Sequence, residues 1–137
     1  MTNSKPIVAQ NDHAKIRQEA DGCYVVSFTH RNILAEDTTE SIGELLKGFI
    51  DDKSPGAAKR TLILDLTDVD HLNSSLIGVM ISLHSKLNMR GDGKLTIVGA
   101  NDEIIGGLKI TQLNRMFQIY GVLADAVAAA TPKGAGR

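Results

Sequence analysis

The stretch TLILDLTDVDHLNSSLIGVMISLHSKL, residues 61–87, decides the fold. Its opening TLILDL is a nearly continuous apolar run, which is typical of a central strand covered on both faces. From Ser74 onward the apolar residues recur at helical spacing, and Ile77 and Val79 widen their stripe. The residues that share this helical face are Leu76, Met80, Leu83 and Leu87. The stretch therefore predicts a strand, a polar loop and a helix, in that order.

The alternation of strand and helix continues downstream. KLTIVGA, residues 94–100, predicts a further strand, after Gly91 has ended the preceding helix. Asn101 begins another helix, and TQLNRMF, residues 111–117, predicts a short turn. QIYG, residues 118–121, predicts a last edge strand, and VLADAVAAA, residues 122–130, a closing helix.

Upstream, EDTTESIGELLKGFIDD, residues 36–52, predicts a helix with an apolar stripe, followed by a linker at Pro55-Gly56. AKIRQEADGCYVVSF, residues 14–28, predicts two strands around the tight turn Asp21-Gly22. Strands that alternate with helices favour a sheet with parallel crossovers. The predicted fold class is therefore α/β: a mixed sheet of about five strands, with an N-terminal hairpin and about four flanking helices.

Length and composition indicate one soluble domain. The 137 residues fit a single unit, which we expect at residues 13–130 between flexible ends at 1–12 and 131–137. The net charge of −1 offers no basic face for nucleic acid. No apolar run reaches the roughly 20 residues that span a bilayer, and the N-terminus lacks a signal-peptide core. The single Cys23 excludes an internal disulfide and fits a reducing compartment, so we expect a cytoplasmic protein.

The sequence carries no recognisable constellation for catalysis or for metal binding. It has no G-x-G-x-x-G after a strand, no Walker A loop, and no G-x-S-x-G elbow around either serine of the central stretch. A metal site needs three or four converging ligands. The histidines His13, His30, His71 and His84 show no such spacing. We therefore predict no enzyme activity, no catalytic residue, no cofactor and no metal ion.

The serine pair at the start of the predicted helix is the candidate site. Asn73 suits an N-cap, because its side-chain oxygen can accept from the backbone N–H of Ser75 or Leu76. Ser74 and Ser75 then lie beside unpaired backbone donors, at the positive end of the helix. A phosphate there would be tolerated by the domain and would add about −1.5 to −2 charges to its surface. Two interpretations stay open: a regulated hydroxyl, or ordinary serines that satisfy local hydrogen bonds.

From about residue 14 to 130 the chain resembles the STAS domain, which occurs in bacterial anti-sigma factor antagonists and at the cytoplasmic end of sulfate transporters. Residues 61–87 are similar to the family's strand, loop and Asp-Ser-Ser-Gly-Leu-Gly helix start. KLTIVGANDEIIGGLKITQLNRMFQIYG, residues 94–121, is similar to its strand, helix, Leu-rich turn and Phe before the last strand. Gly78 matches the later Gly, whereas Asn73, Leu76 and Ala35 replace an acid, a Gly and a second acid of the pattern.

The resemblance implies a regulatory binding module. In the antagonist group, the second Ser of the motif is phosphorylated by a kinase that is also the anti-sigma factor. That position falls on Ser75, with Ser74 as the second choice. The chain is then expected to sequester an anti-sigma factor with serine kinase activity, which brings ATP and Mg²⁺, and to be released on phosphorylation. The residues expected to bind this partner are Asn32, Asp70, His71, Asn73, Ser74, Ser75 and Leu76.

A second class of function stays open beside the first. In it the chain is a constitutive STAS scaffold, or an accessory subunit of a stress-signalling or transport complex, and Ser75 is only a cap residue. Small-ligand or nucleotide binding is a weaker third interpretation, because no phosphate-cradling Gly-rich loop is present. The sequence also leaves a homodimer open.

Overall fold

The computed structural model describes residues 6–20, 22–51, 61–89 and 94–130. The predictions for Asp21, for the Pro55-Gly56 linker and for Gly91 as a helix end lie outside the described residues, as does the tail at 131–137. Gly22, the other residue of the predicted turn, has a φ of 72°. This left-handed conformation is the one that a tight hairpin turn requires and that glycine tolerates.

The described residues form eight strands and four helices. The strands are β1 Ile7–Gln10, β2 Ala14–Ala20, β3 Cys23–Phe28, β4 Asn32–Ile33, β5 Thr61–Asp65, β6 His71–Leu72, β7 Lys94–Val98 and β8 Gln118–Tyr120. The helices are α1 Glu36–Asp51, α2 Ser74–Met89, α3 Asp102–Ile110 and α4 Leu123–Ala130, with a 3-10 turn at Leu113–Arg115. The predicted alternation is present, with three short strands added to it, β1, β4 and β6. None of the described helices has both the length and the apolar character that crossing a bilayer requires.

The main sheet has six strands in the order β1-β2-β3-β5-β7-β8. The pairs β1–β2 and β2–β3 are antiparallel, and the pairs from β3 to β8 are parallel. This confirms the predicted mixed sheet with its N-terminal hairpin. Because β3, β5, β7 and β8 run in one direction, the loops that follow them meet at a single edge of the sheet, where sites of α/β proteins gather.

The core lies on both faces of the sheet, as the apolar run of β5 predicted. Leu62 and Leu64 belong to the larger cluster, and Ile63 belongs to the smaller cluster on the opposite face with Ala126 of α4. The predicted stripe of α2 is buried, since Leu76, Met80, Leu83 and Leu87 are each at most 1% exposed. Helices α1 and α2 approach each other closely at Gly43: a Cβ added to this glycine would lie 3.3 Å from Val79 Cγ2.

The N-terminal segment departs from the prediction. Residues 1–12 were expected to be a flexible end, of which residues 1–5 lie outside the described residues. Within the described part, β1 pairs with β2, placing Ile7 opposite Arg17 and Gln10 opposite Lys15. As an edge strand, β1 exposes Ile7 and Val8 by 49% and 44%. Its residues therefore lack the buried-exposed alternation by which a strand is usually found, and the sheet begins before residue 13.

Candidate functional site

Asn73 organises the start of α2 and confirms its predicted role as N-cap. Its Oδ1 accepts from the backbone N–H of Leu76 at 2.9 Å. Its Nδ2 donates to the Leu34 carbonyl oxygen at 3.1 Å, in the loop before α1. The hydroxyl of the buried Thr39 lies 3.2 Å from the same Oδ1. One side chain thus caps α2 and fixes the beginning of α1 against it.

Ser75 faces α1, whereas Ser74 is exposed to solvent. The Ser75 hydroxyl donates to the Glu36 carboxylate, with Oγ 2.9 Å from Oε2 and 3.1 Å from Oε1. Glu36 was not singled out from the sequence, where Ala35 was noted as the position of a missing acid. The sequence did offer a signal for Glu36. It is an acidic residue immediately after Ala35, and it lies in the first turn of α1.

The loops around the serines are joined by short strands and ion pairs. The two-residue strands β4 and β6 pair in parallel and place Asn32 opposite His71. Arg31 donates two hydrogen bonds to the Asp70 carboxylate, from Nε to Oδ2 at 3.0 Å and from Nη2 to Oδ1 at 3.2 Å. These groups are exposed, so the ion pair contributes little stability, about 0–1 kcal/mol. Its main effect is to hold the loop of Asp70 beside the loop of Asn32.

A third loop extends the same surface. Asn101 caps α3 through its Oδ1, which accepts from the Ile104 N–H at 2.9 Å. Its Nδ2 donates to the Asp70 carbonyl oxygen at 2.9 Å. His71 Nδ1 lies 3.0 Å from Glu103 Oε2. The loops that follow β3, β5 and β7 therefore form one connected surface at the carboxyl edge of the sheet.

Most of the predicted partner-binding residues lie on this connected surface. They are Asn32, Asp70, His71, Asn73, Ser74 and Ser75. Leu76 is the exception and corrects the prediction, because it is 1% exposed and packs in the core with the rest of the α2 stripe. Three residues that the sequence did not single out also belong to the surface: Arg31, Glu36 and Glu103.

An open cleft of about 320 Å³ lies between α1 and the first turns of α2. Its α1 wall carries Glu36, Glu40 and Glu44, each one helical turn from the next. Ser75 and Val79 line the opposite wall. Lys47 also lines the cleft, but three carboxylates outnumber this one cation. Carboxylates in a row repel phosphate groups, so nucleotide binding, the weakest of the three sequence interpretations, gains no support from this cleft.

Two of the four histidines lie closer together than their positions in the sequence indicate. His13 Nδ1 lies 2.8 Å from His30 Nε2, so the fold brings together two imidazoles that are far apart in sequence. Two ligands fall short of the three or four of a metal site. Within the described ranges, no group of three or more His, Cys, Asp or Glu side chains is arranged to hold a metal ion.

Cys23 lies away from the candidate site, in the smaller core cluster. Burial, with a smaller contribution from the Glu19 carboxylate, raises the pKa of its thiol to about 11. A thiol with a raised pKa is a poor nucleophile, because the thiolate is the reactive form. Its position therefore indicates a structural residue.

Comparison with known proteins places this architecture in context. The model of the STAS domain family matches residues 16–126. A Thermotoga maritima protein, provisionally named an anti-sigma factor antagonist, is 25% identical over 83 residues, which cover 61% of this chain and 73% of that protein.

Solved structures share the fold. An anti-sigma factor antagonist (STAS) domain protein of Planctomyces limnophilus has a TM-score of 0.74 at 17% identity, covering 85% of this chain and 97% of its own. The Bacillus cell fate determinant SpoIIAA in its phosphorylated form has a TM-score of 0.65 at 10% identity, covering 86% and 99%. SpoIIAA in its unphosphorylated form, described as an anti-sigma factor antagonist, has a TM-score of 0.63 at 12% identity, covering 85% and 94%. At these identities the likeness is one of fold.

Proposed function

This chain belongs to the STAS domain family, and we propose that it is an anti-sigma factor antagonist whose binding is controlled by phosphorylation of Ser75. In this role it binds an anti-sigma factor with serine kinase activity and is released once that kinase has modified it. The chain itself carries out no catalysis and stays in the cytoplasm. The naming of its relatives supports the general role.

The observation that carries the proposal is the placement of the Ser75 hydroxyl. It lies at the start of α2, half-buried, on the surface where three loops meet. A kinase can reach it without unfolding the domain, because Ser75 itself is only half-buried and its neighbour Ser74 is exposed, as are Thr67, Asp68 and His71 of the preceding loop. Ser75 also occupies the position that matches the second Ser of the family motif.

The Glu36 contact explains how a phosphate would change this surface without unfolding it. Phosphorylation replaces the Ser75 O–H, a donor to Glu36, with a group that bears about −1.5 to −2 charges and only accepts hydrogen bonds. The Glu36 carboxylate would be repelled and would leave its position 2.9 Å from Oγ. The backbone donors at the start of α2 would still favour the phosphate. The domain therefore stays folded while the face that binds the partner is altered.

The test requires the cognate kinase in purified form, identified by co-purification with the tagged wild-type chain or from the neighbouring reading frames. The chain is incubated with this kinase and ATP, and the modified residue is located by mass spectrometry. Binding to the kinase is titrated for wild type, Ser75→Ala and Ser75→Asp. Ser74→Ala is the matched control, because it removes the adjacent hydroxyl and leaves the Glu36 contact in place.

The expected result is phosphate on Ser75, with Ser74→Ala behaving as wild type. Ser75→Ala should bind the kinase and resist release by ATP. Ser75→Asp should bind more weakly, and each 1.4 kcal/mol of repulsion would weaken it tenfold. Phosphate on Ser74 alone would move the acceptor by one residue. No phosphate anywhere, together with unchanged binding of Ser75→Asp, would make the constitutive scaffold the better function.

A further inference from the structure

Leu34 is an exposed apolar residue on the candidate surface. It precedes α1 by two positions and is 57% exposed, although its neighbour Ile33 is fully buried. Other large hydrophobic residues that are exposed in the described part of the chain lie elsewhere, on β1, at the ends of α2 and α3, after the 3-10 turn and before α4. None of these belongs to the loops that surround the serines.

The backbone of Leu34 is held in place by contacts on both sides. Its carbonyl oxygen accepts from Asn73 Nδ2 at 3.1 Å, and the Ile33 carbonyl accepts from the Asn73 N–H at 2.9 Å. The next carbonyl, of Ala35, accepts from the Thr39 N–H at 3.1 Å. A side chain projected from such a fixed backbone loses little conformational freedom on binding, which favours affinity.

The three loops of the candidate surface, one of which carries Leu34, are strongly acidic. The loops at residues 30–37, 67–73 and 101–103 have Arg31 as their basic residue, and Asp70 already pairs with it. Their carboxylates are Glu36, Asp37, Asp68, Asp70, Asp102 and Glu103. An exposed apolar side chain on a surface whose loops carry these carboxylates fits a partner that offers an apolar pocket bordered by Lys and Arg.

We infer that Leu34 is the apolar anchor of the partner-binding surface, and that the kinase receives it in a pocket bordered by basic residues. This inference rests on the proposed function and adds to it a residue, together with the chemistry of the partner's complementary face. The anchor and the switch are then separate parts of one surface. Leu34 supplies affinity, and Ser75 controls it.

The experiment measures binding of the purified kinase to the full chain by surface plasmon resonance. Leu34→Ala should weaken binding about tenfold or more, as truncation of a hot-spot side chain does, and Leu34→Asp more strongly. Leu34→Met should bind nearly as wild type, since it restores an apolar side chain of similar volume. Ile110→Asp is the matched control: it changes an 85% exposed apolar residue at the far end of α3 and should alter binding less than about twofold. Melting temperatures of all four variants should stay within about 4 °C of wild type.

The association rate constant gives a second readout. It should fall as salt is raised from about 0.05 to 0.5 M, because screening weakens attraction between an acidic and a basic face. An unchanged affinity of Leu34→Asp, while wild type binds and is phosphorylated on Ser75, would overturn this inference and leave the proposed function standing. An association rate constant that does not change with salt would overturn the inference that basic residues border the kinase's pocket. A wild-type chain that neither binds the kinase nor is phosphorylated would overturn both.

Discussion

The Ser75 hydroxyl donates to the Glu36 carboxylate and so ties the start of α2 to the start of α1, across 39 positions of sequence. Two opposing electrostatic effects meet at Ser75. The positive end of α2 favours a negative charge there, whereas Glu36 disfavours one because its own carboxylate is in contact. The net effect of an acidic residue at position 75 depends on whether the attraction to the helix end or the repulsion from Glu36 is larger. At about 3 Å, we expect the repulsion between the two carboxylates to be the larger.

The first prediction concerns this balance. Ser75→Ala should lower the free energy of unfolding by about 1 kcal/mol or less, because it removes one exposed hydrogen bond. Ser75→Asp should lower it further, and adding Glu36→Gln should restore about 0.5–1 kcal/mol by removing the like charge. Urea unfolding of wild type, Ser75→Asp, Glu36→Gln and the double variant forms a double-mutant cycle that measures the coupling. Zero coupling would show that Glu36 does not sense charge at position 75, and a loss of several kcal/mol in Ser75→Ala would make Ser75 a structural residue.

A second prediction separates the two roles of Asn73. Asn73→Asp keeps the oxygen that caps α2 and loses the donor to Leu34, whereas Asn73→Ala loses both. We expect Asn73→Ala to cost about 1–2 kcal/mol and Asn73→Asp to lie between it and wild type, as judged from urea midpoints. Asn101→Ala is the control, since Asn101 caps α3 and ties back to Asp70 in the same manner. Kinase binding should fall with Asn73→Ala more than with Asn101→Ala; the reverse order would argue against Asn73 as the residue that positions Leu34.

A third prediction tests the packing of α2. Leu83 is fully buried between the helix and the sheet, so Leu83→Ala should cost roughly 2–5 kcal/mol, the range for truncation of a buried Leu. Ser85→Ala, on the exposed side of the same helix, should change stability by less than about 0.5 kcal/mol. Thermal melts of both variants are sufficient. Equal, small effects would mean that this face of α2 does not lie on the sheet.

A fourth prediction contrasts two glycines. Gly99 has a φ of 73°, and an added Cβ would collide with Thr67 Oγ1 and lie 3.0 Å from the Thr67 backbone. Gly99→Ala should therefore cost at least about 1–3 kcal/mol, the usual cost of a strained backbone. Gly78 lies within α2, and an added Cβ there would meet no atom within 4 Å, so Gly78→Ala should raise stability by up to about 1 kcal/mol. Denaturant unfolding checks both signs, and a stable Gly99→Ala protein would mean that the loops of Thr67 and Gly99 can separate.

A fifth prediction follows from the pKa of Cys23, which rises from 9.0 to about 11 on folding. The folded state holds the thiol proton to higher pH than the unfolded state, so this contribution to stability is complete below about pH 9 and is lost between about pH 9 and 11. At pH 8 a thiol reagent should react slowly with the native protein and rapidly in urea. The free energy of unfolding of Cys23→Ala should therefore fall less between about pH 9 and 11 than that of wild type. Rapid labelling of the native protein would contradict the burial of this side chain.

The order of strands and helices was predictable because it depends on local patterns. The apolar run at residues 61–66 and the stripe through Leu83 show their period within a few residues, and both are buried as expected. The strand β1 was missed because it lies at the edge of the sheet with exposed residues on both faces. The strands β4 and β6 were missed because each has only two residues, and their pairing exists only once two loops meet.

The candidate site was predictable in part. The cap at Asn73 was found because its acceptor bond to Leu76 spans three positions. Leu76 itself was misplaced: the family motif put it on the surface, whereas its own helical period put it in the core, and the period was right. The contact of His13 with His30 was missed because it joins positions on either side of a hairpin.

The sequence by itself determined which segments become strands or helices, which helix faces are buried, and where α2 is capped. Each of these depends on interactions over one or two turns of helix or alternate residues of a strand. The tertiary structure alone decided that the Glu36 carboxylate contacts the Ser75 hydroxyl, and that Arg31 and Glu103 join the surface of Ser75. That surface exists because parallel strands end at one edge of the sheet and place their following loops side by side. The close approach of α1 to α2 then brings a carboxylate to a hydroxyl 39 positions away, and no local pattern in the chain specifies that distance.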